Sequence, residues 1–66
     1  AQRALGDLDE AIRLNPGIAS AYGNRAIAHA MLGERQESEE DIARAVDLGI
    51  DETSLRGTID GLANQQ

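Results

Sequence analysis

The chain contains no cysteine, no lysine, no phenylalanine and no tryptophan. Without cysteine no disulfide can staple the fold, and the single histidine, His29, cannot build a metal site by itself. Without lysine, positive charge rests on six arginines against twelve acidic residues, a net charge of -6. Nucleic-acid affinity depends on a basic face that releases counterions, so neither a nucleic-acid partner nor an anionic membrane surface is expected. No apolar run approaches the roughly 20 residues needed to span a bilayer, and no charged-then-apolar signal segment opens the chain. The lack of cysteine fits the cytoplasm, the compartment we favour, and is also compatible with a bacterial periplasm. The first residue is alanine, so we expect a piece of a longer or processed protein.

Large side chains are scarce too. Hydrophobic residues make up 41% of the 66 positions, but eleven of them are alanine and the only aromatic is Tyr22. Alanine buries little area, so one thin core is expected, dependent on close helix approach.

What is present is periodic. Ala1, Ala4, Leu5, Leu8, Ala11 and Ile12 recur at steps of three and four, which predicts a helix over residues 1–14. "NPG" at 15–17 stops it, because Pro16 disfavours helical geometry at Asn15. A second helix is predicted from Ala19 to Leu32, with Ala19, Tyr22, Ala26, His29 and Ala30 inward and Gly33 as a left-handed cap. A third runs from Arg35 to Leu48 and ends at Gly49, with acids early and Arg44 late, as the helix dipole favours. The acid-first pairs Asp9–Arg13 and Glu40–Arg44 suit solvent faces. "IDETSL" at 50–55 opens a fourth helix, with Asp51 as cap and Ile50 as staple to Leu55; "NQQ" reads as a frayed tail. No segment holds a strand period. The expected class is all-α, four helices joined by short turns.

The pattern also repeats. "DLDEAIRLNP" at 7–16 and "DIARAVDLGI" at 41–50 align with Asp7 on Asp41, Leu8 on Ile42, Ala11 on Ala45 and Ile12 on Val46, an offset of 34 residues. A fixed offset of that size across a helix pair marks a stacked helical array. The residues resemble the tetratricopeptide repeat family. Ala4, Leu8, Ala11 and Pro16 match the closing half of one repeat. Tyr22, Ala26, His29, Leu32-Gly33, Ser38, Ile42 and Ala45 match the slots of a full one. Arg25, His29, Ser38 and Ile50 depart from the usual leucine, tyrosine, alanine and proline, and the first departure points to an exposed Arg25. The resemblance implies a single domain over 1–66. Residues 1–16 would be the second helix of a partial repeat, 19–50 one full repeat and 51–64 a capping helix.

In that family the first helices of successive repeats line a concave groove for peptides or folded partners. Carried over by slot, the resemblance implies a partner-binding set of Ser20, Gly23, Asn24, Ile27, Ala30 and Met31. Gly23 would let a partner backbone come close, Asn24 would hydrogen-bond to it, and Met31 would adapt to varied side chains. The lysines that clamp a terminal carboxylate in some members are absent, which opposes chaperone-tail recognition. One repeat also offers less than the ~800 Å² per partner of a standard interface.

The expected function is therefore a non-catalytic protein–protein interaction scaffold, with no enzyme activity, no cofactor and no metal. His29 has no nucleophile or second imidazole spaced to work with it, so it reads as structural. The acids Glu34, Glu37, Glu39, Glu40 and Asp41 lack the alternate spacing of a calcium loop and read as a solvated, dipole-favouring run. The alternative is self-association: Leu5, Leu8 and Ile12 on the first helix would stay exposed unless a second copy or another repeat covers them.

Overall fold

The computed structural model describes residues 2–63 and is all-helical over that span: α1 (Gln2–Leu14), α2 (Ala19–Met31), α3 (Arg35–Asp47) and α4 (Glu52–Ala63). The expected tail "NQQ" lies outside the described residues. Each break has a local cause. After α1 the side chain of Asn15 accepts a hydrogen bond from the Gly17 amide at 3.2 Å. α2 and α3 end on Gly33 (φ 78°) and Gly49 (φ 115°), the left-handed geometry that satisfies the last carbonyls of a helix. Glu34 N–H reaches back to the His29 carbonyl at 2.9 Å, and Ile50 N–H to that of Ala45 at 3.0 Å. α4 starts as expected: Asp51 accepts the Ser54 amide at 2.9 Å.

Contacts between α2 and α3 run in opposite directions along the two helices. Ala26 meets Ser38, Arg25 meets Asp41 and His29 meets Glu34. The pair is an antiparallel hairpin closed by the short turn at Leu32–Glu34. α2 packs against α1, α3 and α4 alike, while α4 also touches α3. Two cross-helix ion pairs reinforce this: Arg25 to Asp9 ties α2 to α1, and Arg56 to Glu39 ties α4 to α3, at 2.9 and 2.8 Å.

The buried cluster is Tyr22, Ala26, Ile42, Ala45 and Leu55, flanked by Ile12, Ile27, Val46, Leu48, Ile50 and Ile59. Alanine at positions 26 and 45, both fully buried, lets α2 and α3 approach closely. Leu8 is half-buried and Ile42 is 2% exposed, so both members of the aligned pair point inward, one fully covered and one not. The inward set of α2 is Ala21, Tyr22, Gly23, Ala26 and Ala28, broader than the single stripe expected. Ala19 and Ala30, expected inward, are only half-buried. A helix enclosed on three sides buries more than one stripe.

Two local pairings differ from the expected ones. Arg13 pairs with Glu10 because Asp9 is taken by Arg25, and Arg44 approaches Asp47. For Asp9 the neighbouring helix α2 offers a better-placed partner than its own next turn, whereas Arg44 stays within α3.

Candidate protein-interaction surface

An open groove of about 560 Å³ lies between α1 and α2. Ala4, Asp7 and Leu8 form one wall; Asn24, Ile27, Ala28 and Met31 form the other. The helix periods put them there: 4, 7 and 8 share one face of α1, and 24, 27, 28 and 31 one face of α2. The walls are apolar apart from Asp7 and Asn24. Met31, at one end, is 49% exposed. Three members of the expected partner-binding set thus meet one residue of the expected self-association set on a single surface: Asn24, Ile27 and Met31 with Leu8. The rest lie elsewhere. Ser20 is exposed and does not line the groove. Ala30 lines a different cleft, between α2, α3 and α4. Leu5 is half-buried, and Ile12 packs against the core cluster.

Gly23 is placed differently from its expected role. It is buried, and a Cβ built there would stand 3.8 Å from Cδ1 of Leu55. That is an ordinary van der Waals contact, so position 23 faces α4 and is not open to a partner backbone.

The cleft containing Ala30 has a volume of about 400 Å³ and a charged rim of Arg35, Glu39, Arg56 and Asp60. Arg56 is already engaged there, by Glu39 at 2.8 Å and by Glu52 at 2.9 Å. Those two carboxylates hold its guanidinium above its ordinary pKa, and Arg56 in turn holds Glu39 below the usual carboxylate range.

A polar cluster under the hairpin was the feature hardest to foresee. Arg25, expected to be exposed, has a side chain only 22% exposed and forks onto Asp41 with two bonds of 2.8 Å. Its third nitrogen donates to Asp9 at 2.9 Å. Asp41 raises the Arg25 pKa further above its usual value, and Asp9 adds to this against the cost of partial burial. Arg25 and Arg44 also lie 5.5 and 5.8 Å from the Tyr22 ring centre, within cation–π reach. His29 Nδ1 sits 2.7 Å from Glu34, and Nε2 is 3.6 Å from Asp41. The acidic run is therefore not one solvated face: Glu34, Glu39 and Asp41 all have partners. The available signal was phase, since Asp41 shares the stripe of Ser38, Ile42 and Ala45.

Among the described residues no group of three or more His, Cys, Asp or Glu side chains could hold a metal ion, and no helix is long and apolar enough to cross a membrane. The chain matches no protein-family model, and no solved structure gives a significant match to it.

Proposed function

We propose that the chain is a non-catalytic protein-interaction module, built like the end of a tetratricopeptide array, that receives a protein or peptide partner in the α1–α2 groove. The observation carrying this reading is the groove itself. Its walls are apolar, Asp7 and Asn24 can fix orientation, and Met31 is exposed and adaptable. The antiparallel hairpin, the left-handed Gly33 turn and the 34-residue offset support the array architecture. The Arg25 fork turns inward to carboxylates, which favours a structural role for that cluster over a chemical one.

The test is capture of a partner by the parent protein carrying Met31→Glu, or Asn24→Ala with Ile27→Glu. Ile27 packs against the core, so Met31→Glu is the variant that leaves the fold least disturbed. A loss of capture of about tenfold or more, with unchanged helical circular dichroism, is expected for a charge placed in an apolar contact. Full retention in both variants removes the groove assignment.

A second reading is self-association through α1, favoured by the incomplete cover over Leu5 and Leu8. Light scattering over a wide concentration range would then report a rising mass; a constant monomer mass rejects it.

A further inference from the structure

The groove's α1 wall has a counterpart inside the same molecule. Ala4, Asp7 and Leu8 lie 34 positions before Ser38, Asp41 and Ile42. Those three α3 residues are the ones that receive α2. Ser38 Oγ donates to the Ala26 carbonyl at 2.8 Å, Asp41 takes the two-pronged Arg25 fork, and Ile42 packs on Tyr22 and Ala26. On α3 the face is covered: Ser38 is 4% exposed, Asp41 5% and Ile42 2%. On α1 the same face lines an open groove, with Ala4 and Asp7 exposed and Leu8 half-buried. Asp9, two residues along and on another side of α1, is taken by Arg25, whereas Asp7 has no hydrogen-bond or ion-pair partner among the described residues.

From this we propose that the occupant of the groove is an arginine-bearing amphipathic α-helix of a partner protein, in the register of α2. A small residue follows the arginine so that the helix can close on Ala4 and Leu8. The arginine forks onto Asp7 as Arg25 does onto Asp41. Charge complementarity selects the partner: the chain carries a net charge of -6, and the one ionised group in the groove is an acid. A planar guanidinium fits a carboxylate two-pronged, which a lysine ammonium cannot do. The proposal rests on the groove reading above and adds the chemistry of what fills it.

The experiment uses a fluorescently labelled, end-capped peptide of residues 18–33, because the chain already displays how this helix seats on such a face. It is titrated into the 66-residue chain, its Asp7→Asn variant and its Leu8→Glu variant, with circular dichroism confirming that all three fold. Saturable binding to the parent chain is expected. It should weaken about tenfold with Asp7→Asn, the size of one hydrogen-bonded charge pair removed from water, and equally when the peptide carries Arg25→Lys. Leu8→Glu should abolish it. No binding at millimolar peptide overturns the proposal, as does binding indifferent to both the Asp7 and Arg25 changes. A chain that dimerises by itself, and loses the dimer with Asp7→Asn, would put a second copy in the groove and overturn it too. Failure of the peptide with Met31→Glu still abolishing partner capture would reject only the occupant, not the groove.

Discussion

Arg25 connects three helices through one side chain: Asp9 on α1, its own α2, and Asp41 on α3. Asp41 is 5% exposed, so it cannot turn to water if the guanidinium is removed. A buried charge left without its partner is costly, whereas removing both charges is nearly neutral. Arg25→Met should destabilise by about 2–3 kcal/mol, discounted from the fully buried case because Arg25 is partly exposed. Arg25→Met with Asp41→Leu should recover most of that loss, and chemical denaturation of the single and double variants checks it. Ser38 plays a smaller part of the same kind, giving its hydroxyl proton to the Ala26 carbonyl across the hairpin.

At the scale of the helices, glycine has opposite consequences at different sites. Gly33 ends α2 with φ 78°, where any Cβ meets the following carbonyl, so Gly33→Ala should cost about 1 kcal/mol despite open space around it. Gly57 and Gly61 lie inside α4, and a Cβ there would meet nothing within 4 Å. Replacing either by alanine should stabilise by about 0.5–1 kcal/mol, since helix interiors penalise glycine for its backbone freedom. Thermal melts of the three variants should move in these opposite directions. Beyond its own backbone, α4 is held by Leu55 in the core, Ile59 beside it, Arg56 on Glu39, and the Asp51 cap.

The whole molecule is a slab 33 × 25 × 16 Å, with a radius of gyration of 10.9 Å. A body that thin has little interior, and five residues make up its buried hydrophobic cluster. Stability is therefore small, and its surface carboxylates become visible in it. Glu39 is held below its usual pKa by Arg56, Asp51 by the Ser54 amide, and Glu10 by Arg13. A carboxyl lowered in the folded state contributes stability above its unfolded value, and that contribution disappears as pH falls through the folded one. Helicity should hold down to about pH 4 and fall below it, as these groups protonate and the arginines are left to repel one another. Asn caps a helix without titrating, so Asp51→Asn should make the acid limb shallower in circular dichroism followed against pH. An unchanged limb would remove the cap from this account.

The four helices and their ends could be read from residue order because each depends on neighbours three or four positions away. Pro16, Gly33, Gly49 and the Asp51 cap act within a single turn of chain. The 34-residue offset likewise showed that Asp7 and Leu8 stand in the positions of Asp41 and Ile42. Which surfaces meet is a different matter, because it depends on the mutual orientation of helices, and no local period encodes that. Only the tertiary packing turned Arg25 inward, closed Leu55 over Gly23, and left Asp7 and Leu8 facing Asn24, Ile27 and Met31 across one open groove.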